Sequence, residues 1–160
     1  MKICIIYHSE TGNTRHVAQH LASACDAQLI EVGDTASYSR LTRFLVRCKM
    51  ARGEEKTGVE PATIDVSEYD LLVFGSPVWA FKPTPAIHAA IDALKGCDGK
   101  RAVAFSTHGG RPGQTEETFR KWITGRGMKV MGITGIHQND IENETKTKEL
   151  VALVQASIKV

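Results

Sequence analysis

The chain has 160 residues with 20 Lys and Arg against 18 Asp and Glu, a net charge of +2. That length suits one domain at roughly 100–200 residues per domain, and a composition 42% hydrophobic and 24% charged excludes a disordered or low-complexity chain. Balanced charge gives no reason to expect nucleic acid as a partner, and no apolar run approaches the roughly 20 residues that span a bilayer, so no membrane partner is expected either.

Met1–Tyr7 is too short for a secretory signal, which predicts a cytoplasmic protein. It is also the first strand: Lys2–Tyr7 is a continuous apolar run, the pattern of a strand buried on both faces. Asn13–Ala24 follows as a helix, and Ala27–Val32 as a shorter strand. Tyr38–Ala51 reads as a helix with Leu41, Phe44, Leu45 and Cys48 at helical spacing and Arg40, Arg43 and Arg47 on a neighbouring stripe; Glu54–Asp70 reads as a long acidic connection. Asp70–Gly75, Arg101–Thr107 and Lys129–Ile136 are further strands, the last weakened by Gly132 and Gly135. Pro85–Leu94, Thr115–Thr124 and Glu144–Ile158 are helices. Thr115 stands as the N-cap of the second of these, with Glu116 and Glu117 near its positive end. Strands alternating with helices predict one α/β domain over residues 1–160, a three-layer, doubly wound, five-stranded parallel sheet. Cys4, Cys25, Cys48 and Cys97 form no C-x-x-C pair and read as reduced thiols, mostly buried.

In such a sheet a ligand sits at the carboxyl ends of the strands, where the winding reverses. After the first strand come Ser9, Glu10, Thr11, Gly12, Asn13 and Thr14, leading into a helix. Hydroxyls, a glycine and unpaired backbone N–H groups at a helix start make a phosphate site. Ordinary capping would explain one hydroxyl, not three. The turn carries no Lys, which suits a phosphate that is held rather than transferred. After the third strand come Ser76, Pro77, Val78, Trp79, Ala80 and Phe81. A Trp in an exposed loop covers something, and a flat heteroaromatic ring stacked on Trp79 would bury much apolar area. After the fourth strand come Thr107, His108, Gly109 and Gly110, where paired glycines let backbone N–H groups approach a flat ligand. His16 and His20 lie one turn apart but lack a third metal ligand, and no metal site is expected. His8 and His137 fall at strand ends and read as loop-lining residues.

In order and spacing, Ser9–Thr14, Gly75–Trp79 and Thr107–Gly110 together resemble the flavodoxin family across essentially the whole chain. The resemblance implies strand order 2-1-3-4-5 and one non-covalent FMN. It places the ribityl phosphate on Ser9–Thr14 and the isoalloxazine ring between Ser76–Phe81 and Thr107–Gly110. The chain departs from the family in its balanced charge and in having His108 and glycines where many members carry a stacking Tyr.

What the resemblance implies is a low-potential electron-transfer protein, a monomer that docks transiently with redox partner proteins and has no catalytic residues of its own. The alternative is an FMN-dependent reductase of quinones or a similar small oxidant, with His108 as a proton donor. A signalling receiver domain shares the strand order but needs an acidic pair after strand one and an Asp after strand three; this chain has His8-Ser9 and Gly75-Ser76-Pro77 there. The Arg40, Arg43 and Arg47 stripe reads first as a solvated helix face, with docking of an acidic partner as the alternative.

Overall fold

The computed structural model describes residues 1–34 and 59–159. The predicted helix Tyr38–Ala51, with its arginine stripe and Cys48, lies outside the described residues.

The apolar run of the first strand forms β1 (Ile3–Tyr7), buried at every position. Its residues alternate between two cores. Cys4 and Ile6 face one side, and Ile3, Ile5 and Tyr7 face the other. β1 pairs in parallel with β2 (Gln28–Glu31) and with β6 (Leu71–Trp79). β9 (Arg101–His108) pairs with β6, and β10 (Lys129–His137) pairs with β9, again in parallel. Read across the sheet, the order is β2-β1-β6-β9-β10, which is the expected 2-1-3-4-5 when only these strands are counted. Short pairs complete the strand set. β3 (Gly33–Asp34) runs antiparallel to β4 (Val59–Glu60), and β5 (Ile64–Asp65) runs parallel to β8 (Leu94–Lys95). Those residues of β4 and β5 lie within the segment expected to be structureless; Ile64 and Val66 anchor it because both are buried.

Helices cover both faces. α1 (Asn13–Cys25) and α5 (Thr145–Lys159) supply Val17, Leu21, Leu150 and Val154 to one core, together with Ile141 of the short α4 (Gln138–Ile141). α2 (Pro85–Asp92) and α3 (Thr115–Gly125) supply Ile87, Ile91, Phe119 and Ile123 to the other. Phe74 and Phe105 are wholly buried on opposite faces; burying each side chain stabilises by about 1.5–3 kcal/mol.

The structure departs from the sequence reading at three places. β6 runs on to Trp79 rather than stopping at Gly75, because Val78 and Trp79 turn back in an antiparallel hairpin with Pro83 and Lys82 of β7 (Lys82–Pro83). β10 persists through Gly132 with a register slip between Val130 and Gly132. The N-cap of α3 is Gln114 rather than Thr115. Thr115 is the first helical residue, and its hydroxyl donates backward to the Pro112 carbonyl at 2.5 Å.

Candidate functional site

Parallel pairing brings the carboxyl ends of β1, β6 and β9 to one edge of the sheet, with Tyr7 beside Gly75 and Pro77 beside Thr107. The loop after β1 enters α1 through Gly12, whose φ of 100° is left-handed and whose Cβ position is open space. A side chain there would be strained, and the bare backbone leaves room for a ligand. No side chain caps the helix at Gly12. Instead the Ser9 hydroxyl accepts the Arg15 N–H at 3.2 Å, closing the turn from outside. The N–H groups of Asn13 and Thr14, in the first helical turn, have no partner within the helix by its geometry.

Arg15 itself is turned away. Its Nε and Nη2 donate to the two carboxylate oxygens of Glu31 at 3.1 and 2.5 Å. The Glu10 carboxylate lies 3.8 Å from His8 Nε2. The turn therefore offers hydroxyls and amides with its neighbouring cation withdrawn. Thr14 is buried, and its hydroxyl lies 2.8 Å from that of buried Thr107. One hydrogen bond thus ties the phosphate turn to the end of β9, so Thr107 belongs structurally to both regions.

The loop after β6 differs from expectation. Trp79 is only 9% exposed, with its ring edge-on to that of His8 at 5.6 Å. The hairpin with β7 turns Trp79 inward, so the exposed stacking tryptophan expected from the sequence is not found. The exposed aromatic is Phe81, at 52%. Ala80 and Phe81, the two central residues of the hairpin, both have positive φ, 47° and 68°, in a position where Asn-Gly is the usual choice. The turn is held from α3. The Gln114 N–H donates to the Phe81 carbonyl at 2.9 Å, and Thr115 Oγ1 lies 3.3 Å from the same oxygen. Gly113, at φ 58°, is a required glycine, since a Cβ there would meet Phe81 Cβ at 2.3 Å.

Ser76 does not present its hydroxyl outward. It is fully buried, accepts the Thr84 N–H at 2.9 Å and lies 2.9 Å from the Pro77 carbonyl. Thr84 Oγ1 in turn lies 3.1 Å from His8 Nδ1. His8, Ser76 and Thr84 form a buried polar floor beneath the hairpin. Sequence reasoning passed over Thr84; its place just before Pro85 at a helix start was the available signal.

The loop after β9 carries exposed Gly109 and Gly110. His108 Nδ1 donates to the Gly110 carbonyl at 2.6 Å, and His137 Nε2 to the Gly109 carbonyl at 3.2 Å. His137 is thus tied to the loop rather than merely beside it. Elsewhere, His20 Nδ1 lies 3.5 Å from Glu144 Oε1, and no group of three or more metal-ligating side chains occurs among the described residues. Cys4, Cys25 and Cys97 are free, and burial pushes the Cys4 thiol up to about 12. No described helix is long and apolar enough to cross a membrane.

The donor set fits the phosphate of FMN: hydroxyls, helix-start amides, a withdrawn cation and open space over Gly12. Comparison with known proteins agrees. The chain matches the family described as NADPH-dependent FMN reductase over residues 1–139. No curated protein sequence matches it. Among solved structures it is similar to a flavoprotein from Lactobacillus acidophilus NCFM in complex with FMN, at 22% identity and a TM-score of 0.66, covering 89% of this chain and 97% of that one. It is similar to the two-electron-reduced flavodoxin of Megasphaera elsdenii at 17% identity and a TM-score of 0.64, covering 99% of each chain. A flavodoxin from the domain Archaea aligns at 16% identity and a TM-score of 0.59, over 98% of this chain and 99% of that one. At these identities the likeness is one of fold. The family match extends across Ser9–Thr14 and the loops after β6 and β9, and it identifies the chain as a flavodoxin-like flavoprotein of the NADPH-dependent FMN reductase family, with FMN as its cofactor.

Proposed function

We propose that this flavoprotein carries electrons between redox proteins that dock transiently on its ring loops, acting as a monomer. When bound, FMN supplies the redox chemistry, accepting and releasing electrons at its ring. The chain's own residues bind and shield. Ser9, Thr11, Gly12, Asn13 and Thr14 hold the phosphate. The hairpin Ser76–Phe81 and the loop Thr107–Gly110 flank the ring, with Phe81 offering the apolar face. Glu10 contributes backbone, its carboxylate being turned to His8. The observation that supports this reading is the position of both ring loops on the outer rim of the sheet, with Phe81, Gly109 and Gly110 exposed. A ring held there keeps its edge within reach of a docked protein. The localisation expected is cytoplasmic.

One observation favours a second reading, direct reduction of a small oxidant such as a quinone. Gly109 and Gly110 put no side chain over the ring opposite Phe81, leaving that face open to a flat substrate, and the family match points to an oxidoreductase. The readings separate on turnover of the FMN-loaded protein with NADPH. A carrier oxidises NADPH and reduces cytochrome c only when a ferredoxin-reductase-type protein is added. Rapid partner-free turnover of NADPH with a quinone overturns the carrier reading in favour of the reductase.

A further inference from the structure

The loop after β9 contains two glycines, which by themselves leave its peptide planes free to turn. Two imidazoles remove that freedom. The Asn139 N–H donates to His137 Nδ1 at 3.2 Å. That bond fixes the tautomer with hydrogen on Nε2, which donates to the Gly109 carbonyl. His108 Nδ1 must carry its hydrogen to reach the Gly110 carbonyl. Both rings lie on the same flank. His137 ends β10 beside His108 in the register, and His108 Nε2 leans over Gly135 of β10, 3.5 Å from where its Cβ would stand.

In a trans peptide the N–H points opposite to the carbonyl it shares a plane with. The Gly110 carbonyl is held by His108 of β9, which fixes the peptide plane of the Arg111 N–H, and the Gly109 carbonyl is drawn to His137 at the end of β10, so the Gly110 N–H points the other way. In the strand order that direction leads to β6 and its hairpin. The Gly110 amide is therefore turned toward the gap between the hairpin and the loop after β9.

We propose that His137 is a positioning residue for the flavin ring, aiming the Gly110 amide at its edge, while His108 holds the next peptide plane in place. The inference rests on the FMN reading above. Amide donors at that edge favour the more electron-rich ring and hold its midpoint potential up.

The test titrates apo-protein with FMN by fluorescence quenching and measures the midpoint potential of the loaded protein, for wild type, His137→Leu and His137→Gln. Leu is expected to raise the FMN dissociation constant by about two- to tenfold, the range for one lost hydrogen bond, and to shift the potential negative. Gln, whose amide can still donate to Gly109, is expected to restore both. If His137→Leu fails to fold, Gly110→Pro deletes the aimed amide directly and is expected to show the same two effects. Unchanged affinity and potential in His137→Leu, or a change that Gln does not rescue, overturns the proposal. A wild type that takes up no FMN overturns the flavin reading itself, which separates the two failures.

Discussion

The turn Ser9–Thr14 and the hairpin Ser76–Phe81 solve the same geometric problem with opposite materials. Both need backbone in the left-handed region at the ligand edge of the sheet. The turn uses Gly12, which adopts φ 100° without steric cost and leaves open space above it. The hairpin uses Ala80 and Phe81, for which the left-handed region costs roughly 1–2 kcal/mol per residue. It persists because Gln114, Gly113 and Thr115, distant in sequence, hold it. The turn is determined locally; the hairpin is imposed by its neighbours, and strain of this kind clusters at functional sites.

If the hairpin is imposed from α3, disturbing Gly113 should have the largest effect. Gly113→Ala places a Cβ 2.3 Å from Phe81 Cβ at a φ of 58°. Overpacking of about 1–3 kcal/mol adds to a left-handed backbone strain of roughly 1–2 kcal/mol, so urea unfolding is expected to show a loss of about 2–5 kcal/mol, with near-ultraviolet circular dichroism reporting a changed aromatic environment. Unaltered stability and spectrum would mean that the hairpin holds itself. At the turn, Thr14→Val removes the bond to Thr107 and, with it, a hydroxyl proposed to hold the phosphate. The expected loss of FMN affinity is roughly 1.5–3 kcal/mol, as for a hydrogen bond to a charged group, read by fluorescence titration. Thr107→Val should weaken binding by less, and the double variant should cost less than the two singles together, since they share one bond.

The smallest effect concerns the pair that draws Arg15 away. The Arg15 hydrogen bond holds the Glu31 carboxyl below its ordinary value, burial opposes this, and the Tyr7 hydroxyl adds to the lowering. A depressed folded-state value makes the contribution full above the unfolded value of about 4.3, and it is lost as pH falls through the lower folded value. The pair is exposed, so Glu31→Gln should destabilise by about 0–1 kcal/mol at neutral pH. The difference from wild type should shrink in urea melts as pH is lowered below the unfolded value of about 4.3; a difference that does not shrink with falling pH means that the carboxylate's charge is not its source.

The five main strands and the ends of most helices were legible because apolar runs and helical spacing are local. The turn Ser9–Thr14 was legible for the same reason, as the connection from the first strand to the first helix. Trp79 and Phe81 were not. Which of two aromatics in one loop turns inward depends on the two-residue return to Lys82 and on His8 and Thr84 beneath it. The part Ser76 takes was not legible either: its hydroxyl accepts the Thr84 N–H, a contact across the hairpin. Thr115 was misplaced by one position because its hydroxyl serves the Pro112 carbonyl instead of a helix amide. The role of His137 follows from strand order, which puts it beside a loop remote in sequence.

The slip between Val130 and Gly132 has a consequence away from the flavin. β10 is an outer strand of the sheet, and an even outer ladder is a template on which a foreign chain can add itself. An extra residue in the strand breaks the regular spacing of its exposed amides and carbonyls and bends it. Any would-be neighbour loses alignment after a few residues, so this border discourages fibrous self-association while the opposite end of the same strand, at His137, keeps its register.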